Sequence, residues 1–143
     1  MTTRREARRL ALDILYQADV TGADGRSVLR EWTDAERSIP PYTRELVEGV
    51  ADGLPELDRT IGSHAEGWAV ERMASLDRTI LRVATYELTS PDSGVPIGAA
   101  IDEAVQAAKE LSTDDSGRFV NGVLGKIASG LGRPPPTDER QRT

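Results

Sequence analysis

Cysteine is absent from all 143 residues, which excludes disulfides, thiolate metal sites and cysteine nucleophiles and points to a reducing cytoplasm. Histidine is nearly absent too. His64 is the single imidazole, and at a polar-flanked helix end it reads as a surface or capping residue rather than a catalytic base. Aromatic residues make up only 4% of the chain. No stretch approaches the ~20 apolar residues of a membrane span, and no long apolar run follows the Arg-rich start, as a secretory signal would require. A soluble, cytoplasmic chain is expected. Lysine is scarce as well: of 18 basic residues only Lys109 and Lys126 are lysines.

What is present is arginine, unevenly placed. The net charge of −6 argues against a protein that coats nucleic acid through its whole surface. Yet Arg4, Arg5, Arg8 and Arg9 crowd into the first nine positions. Arginine carries a planar donor fork that can bridge phosphate oxygens or stack on bases. A high arginine share is also what genome composition alone can produce, so the placement is more informative than the total.

Helical periodicity accounts for most of the sequence, and no alternating strand pattern of several residues occurs. In the first helix, from about Thr3 to Val20, residues Ala7, Leu10, Ala11, Ile14, Leu15 and Ala18 form one apolar stripe. A turn over Gly22 to Gly25 leads to a second helix near Ser27 to Arg37, which stops before Pro40-Pro41. A third runs from about Pro41 to Gly53, and a fourth carries Leu57, Ile61 and Ala65. After Gly67, a segment with Trp68, Val70 and Met73 leads into Leu76, Ile80, Leu81, Val83, Ala84 and Leu88, the expected central core helix. The turn-rich Ser90 to Pro96 ends it. The pattern restarts from Ile97 to Leu111, breaks over Ser112 to Gly117, and resumes from Phe119 to Leu131.

The fold class is therefore all-α: about seven helices in two small bundles sharing one core. A chain of this length buries roughly 68–70% of its unfolded surface and needs no staple. Residues 1–132 read as a single domain, and 133–143, opening with Arg133-Pro-Pro-Pro136, as a polar tail with nothing to bury.

Convergent acids, bases and nucleophiles are not found, so no enzymatic activity, metal or cofactor is expected. Asp114 and Asp115 lack the spacing of a calcium loop and read as a hydrogen-bonded helix start. Gly117 and Gly122 have phosphate-loop spacing, but Val123 and Leu124 stand where Lys and Ser or Thr are required.

On a helical wheel Arg5, Arg9, Leu12 and Tyr16 fall in a narrow arc opposite the apolar stripe, with Arg8 at its border. Arginines so spaced can follow a phosphate backbone, and an exposed Tyr16 offers unstacked bases a surface worth ~1–3 kcal/mol. The same pattern is also compatible with a solvated charged face and a Tyr16 packed on a neighbouring helix.

Three segments bear on that choice: Arg4-Arg-Glu-Ala-Arg-Arg-Leu-Ala-Leu-Asp-Ile-Leu-Tyr16, Asp77-Arg-Thr-Ile-Leu-Arg-Val-Ala-Thr-Tyr-Glu-Leu88, and Val95-Pro-Ile-Gly-Ala-Ala-Ile-Asp-Glu-Ala-Val105 with Asp115-Ser-Gly-Arg-Phe-Val-Asn-Gly-Val-Leu124. In this order and spacing they resemble the NusB transcription antitermination family over nearly the whole chain. Asp19 to Pro40 and the tail carry no likeness.

The resemblance implies an RNA-binding factor that, with the ribosomal protein NusE, recognises the boxA element of nascent ribosomal RNA and keeps RNA polymerase from terminating early. It places the RNA surface on Arg5, Arg8, Tyr16, Asp115, Arg118 and Phe119; Arg9 is added from the wheel. Phe119 is equally compatible with a core position, and Asp115 with a helix cap. The resemblance also suggests Asp77 and Glu71 as contacts to the protein partner, against a default of solvated charge. Some members pair with themselves, and a homodimer that covered the first helix would mask the RNA face; monomer and homodimer are both compatible with this sequence. Two alternatives remain: the similar module of RNA cytosine methyltransferases, although no glycine-rich cofactor loop or catalytic cysteine follows here, and a purely protein-binding adaptor.

Overall fold

The computed structural model describes residues 2–35, 38–90 and 93–131. The expected tail, and the expected end of the second helix at Arg37, lie outside the described residues. Within them the chain forms α1 (Arg4–Thr21), α2 (Gly25–Asp34), α3 (Pro41–Asp52), α4 (Leu54–His64), α5 (Ser75–Thr89), α6 (Ile97–Leu111) and α7 (Asp114–Gly130). A 3-10 turn, Val70–Arg72, precedes α5. The all-helical class and the number of helices agree with the periodicity.

Helix ends follow local hydrogen-bond chemistry. Thr3 Oγ1 accepts from the Glu6 amide at 3.0 Å while the Glu6 carboxylate accepts from the Thr3 amide at 2.8 Å, so two otherwise orphaned donors are satisfied reciprocally. Gly22, at φ 74°, closes α1 in the left-handed conformation that glycine adopts without penalty. α2 starts at Gly25 rather than Ser27, because the Asp24 carboxylate accepts from the Arg26 amide at 3.0 Å and takes the cap position. At α7 the cap is Thr113, whose Oγ1 accepts from the Ser116 amide at 3.0 Å, which leaves Asp114 and Asp115 in the first turn.

α1 packs on α2, α3 and α5, whereas α6 packs on α7 and both reach α5. α5 thus belongs to both bundles. One continuous apolar cluster runs from Ala11 to Ala128, with Ile14, Leu46, Ile61, Ile80, Leu81, Leu88, Leu124 and Ile127 fully enclosed. α3 approaches α5 closely at Gly49, where a Cβ would collide with the Tyr86 ring.

Charge fixes α1 on α5 at both ends. Near its start, Arg8 donates through Nε to both Glu87 oxygens at 3.1 and 3.0 Å, with a second nitrogen 2.9 Å away. Glu87 is only 2% exposed, and it also accepts from the Tyr42 hydroxyl of α3. The Arg4 guanidinium covers the Tyr42 ring at 3.9 Å. Burial and the bond to Glu87 push the Tyr42 phenol up to about 12. Near the other end, Asp19 accepts from Arg78 at 2.7 Å and from Arg82 at 3.0 Å, and Arg82 also forks onto Asp58 of α4. Burial opposes ionisation of Asp19, but hydrogen bonds from Arg78, Ser75 and Arg82 outweigh it and hold the carboxyl below its ordinary range.

A buried charge left without its partner is costly, while an apolar replacement of the whole cluster is nearly neutral. Glu87→Ala should therefore destabilise the fold by about 3–5 kcal/mol in urea unfolding. Arg8→Met, Tyr42→Phe and Glu87→Leu combined should recover most of that loss. For the phenol the neutral form is the one the fold favours, so its contribution is complete below pH ~10 and fades as pH rises toward 12. An ultraviolet titration should show a late tyrosinate step that Tyr42→Phe removes.

Candidate nucleic-acid interface

α1 presents a cationic edge with an aromatic end, narrower than the wheel suggests. Arg5 is exposed, with 58% of its side chain accessible, and Tyr16 is 42% exposed. Arg9 is half-buried. Leu12 and Arg8 are not part of the open arc: they are 4% and 8% exposed. They line one crevice with Ile80, Ala84, Ala100 and Ala104, because α5 packs against that side of α1 and the edge of α6 flanks it. Arg8 thus reaches the surface weakly and holds Glu87 instead.

Each of these arginines meets a carboxylate. Arg5 places Nε and Nη2 side-on against Glu103 of α6, at 3.0 and 2.8 Å from its two oxygens. Arg9 donates from Nη2 to Glu110 at 2.8 Å. The Glu103 carboxyl is held below its ordinary range by the Arg5 hydrogen bond and the surrounding arginines. Glu110 is likewise lowered, by the hydrogen bond from Gln106 and then by Arg9. The Arg5 guanidinium is raised in turn by Glu103.

The second part of the site sits at the start of α7. Asp115 and Arg118 are exposed and paired with each other across one helical turn. Phe119 is half-buried, between the two positions its periodicity allowed, and meets Trp68 edge-on with centroids 6.0 Å apart at 67°. Trp68 is 54% exposed. Together with Met73, Ala74, Asp77, Asp115 and Ser116 the two rings line a groove of about 370 Å³. Its floor is mostly apolar.

The first turn of α5 joins the two parts. Arg78 binds Asp19, one turn beyond Tyr16 on α1. Asp77 accepts from Ser116 Oγ at 3.3 Å, one turn before Phe119 on α7. The other Asp77 oxygen is buried without a hydrogen-bond partner among the described residues. Asp77 lies in the first turn of α5, where the helix dipole favours negative charge. Glu71 is exposed on the 3-10 turn.

Of the expected residues, the structure brings Asp77, Asp115 and Phe119 to one groove and Arg5, Arg9 and Tyr16 to one side of α1. Sequence reasoning missed Trp68 as a site residue, together with Glu103 and Glu110. The two glutamates stand seven residues apart and so share one edge of α6, but nothing local reveals that this edge lies beside α1. His64, at the end of α4, bonds through Nδ1 with the Thr60 carbonyl at 2.8 Å, which agrees with a helix-end role. Among the described residues no cluster of three potential metal ligands occurs, and no helix is long and apolar enough to cross a membrane.

Comparison with known proteins places this geometry. The family model described as the NusB family matches residues 5–129. A transcription antitermination protein NusB of Saccharopolyspora erythraea is 47% identical over 135 residues, covering 92% of this chain and 90% of that protein. Among solved structures, a NusB from T. maritima aligns with a TM-score of 0.79 and 32% identity over 98% of each chain. A structure of antitermination factors NusB and NusE in complex with dsRNA aligns with a TM-score of 0.74 and 25% identity, over 89% of this chain and 96% of that one. With the match extending from the first arginine-bearing turn to the end of the last core helix, the chain belongs to the NusB family.

Proposed function

We propose that this protein is a transcription antitermination factor that binds boxA-type single-stranded RNA of nascent ribosomal transcripts together with the ribosomal protein NusE. The observation that carries this reading is the open side of α1, where Arg5 and Tyr16 remain accessible beside Arg9. It acts by binding, as one domain in the cytoplasm alongside the transcript, and needs neither catalytic group nor cofactor.

The division of labour follows from residue chemistry. Arg5, Arg9 and Arg118 hold phosphates, and Arg8, largely buried, steadies the helix that presents them. Tyr16, and Phe119 with Trp68, offer ring surfaces to splayed bases. Asp115 accepts from base amino or imino groups, which adds a sequence preference that charge alone does not supply. Glu71 and Asp77 are the proposed contacts to NusE; the structure of a relative with NusE and dsRNA supports such a partner. A single strand suits the site better than a duplex, since an exposed aromatic ring is useful only where bases are unstacked.

Arg5→Ala with Arg9→Ala should weaken binding and lower the log–log salt slope by ~0.7 for each lost phosphate contact. An unchanged slope in filter-binding titrations counts against the α1 face. Arg8→Ala is unsuited to this test, because it orphans Glu87. Tyr16→Ala should cost about five- to 150-fold in affinity for boxA-type single strands, with the circular dichroism melt unaltered because the ring is exposed. Equal binding of duplex RNA, with no effect of Tyr16→Ala, would overturn the single-strand reading.

A further inference from the structure

The cationic edge of α1 is electrostatically filled. Arg5, Arg8 and Arg9 meet Glu103, Glu87 and Glu110, so the residues proposed to hold phosphate already hold carboxylates. Glu87 is buried and structural. Glu103 and Glu110 are different: Glu110 is exposed and Glu103 half-buried on α6, two turns apart, on the edge facing α1. Glu103 engages Arg5 through both oxygens, in the side-on fork that a phosphate would also adopt. A second arginine, Arg8, lies 3.9 Å from the same carboxylate. Glu110 is steadied by Gln106, which donates to its other oxygen at 2.8 Å.

We propose that Glu103 and Glu110 act as built-in phosphate mimics that occupy Arg5 and Arg9 of α1 in the RNA-free protein, Glu103 through the Arg5 fork and Glu110 through a single bond to Arg9, and must be displaced when the backbone of a single strand docks there. The inference rests on the RNA-binding reading of α1 and adds the competitor to it. Both glutamates are positioning residues in the free state and competitors in the bound one. The exchange is feasible because each pair keeps one accessible member, Arg5 in the first and Glu110 in the second, and an ion pair open to water on one side contributes little. Arg5 is largely accessible, so its guanidinium can turn from carboxylate to phosphate without unpacking the core. The consequence is selectivity: a lone polyanion gains little on an edge whose charges are already matched, whereas RNA that also stacks on Tyr16 can complete the displacement.

The test is a filter-binding titration of the full chain against a boxA-type single strand. Glu103→Gln with Glu110→Gln should tighten binding roughly three- to tenfold, because glutamine keeps the shape and removes the competing charge. A control pair, Glu48→Gln with Asp52→Asn, removes the same charge from the far partners of Arg26 on α3 and should give a smaller gain. The gain from Glu103→Gln should also shrink in an Arg5→Ala background, since competition needs both partners. Equal gains from the two pairs, weaker binding by the α6 pair, or a gain independent of Arg5 would each overturn the inference while leaving RNA binding itself intact. Absence of binding by the unmodified protein would instead remove the underlying reading, and this inference with it.

Discussion

Glu87 lies almost wholly out of solvent, where an unpaired carboxylate would be unstable, and it is matched there by the Arg8 fork and the Tyr42 hydroxyl. Three helices meet at that carboxylate: α1 supplies Arg8, α3 supplies Tyr42 and α5 supplies Glu87 itself. The Asp19 pairs with Arg78 and Arg82 repeat the arrangement at the far end of α1. A hydrophobic stripe alone would tolerate some rotation or sliding of α1, since apolar contact is non-directional. Directional charge pairs at both ends do not. The accessible edge of α1 therefore inherits its position from two sets of ion pairs on its inner side.

The same fixation explains how separate segments form one surface. The first turn of α5 binds α1 through Arg78 and α7 through Asp77, so the aromatic end of α1 and the Trp68–Phe119 groove are held on either side of it. Three stretches distant in sequence contribute: α1, the chain from Trp68 into the first turn of α5, and α7. On the proposed function, a single-stranded ligand meets charge along α1 and ring faces toward α5 and α7.

Much of this was legible in the sequence, because helical period and punctuation are local properties. The stripes of Ala11, Ile14, Leu15 and Ala18, and of Ile97 through Leu111, repeat at the spacing of one helix face, and the prolines and glycines mark the ends. The limit appears at Arg8 and Leu12. A wheel assigns each residue an angle but does not say how many neighbours cover the helix, and α1 is covered by α2, α3 and α5. The buried arc is therefore wider than the apolar stripe, and it takes in one arginine. Long-range pairs were invisible for the same reason: Arg5 and Glu103 are separated by 98 positions, and no periodicity links them. Trp68 is not legible as a surface ring because its neighbours read as an approach to the core helix, whereas it lies on irregular chain two residues before the 3-10 turn and is half in solvent.

Arginine rather than lysine at these positions now has a physical reason beyond composition. Near α5, Arg8 must satisfy a buried carboxylate with several donors at once, and Arg82 must fork onto Asp58 while also reaching Asp19. An ammonium is a compact point charge without that planar geometry. At the surface, the fork of Arg5 fits a carboxylate and a phosphate equally well, so one side chain can serve the folded state and the bound state in turn. An acidic protein can then present a nucleic-acid edge without a strongly positive field around it. On the proposed function, what such an edge loses in long-range attraction it recovers in discrimination, because ring stacking and fork geometry are directional where net charge is not.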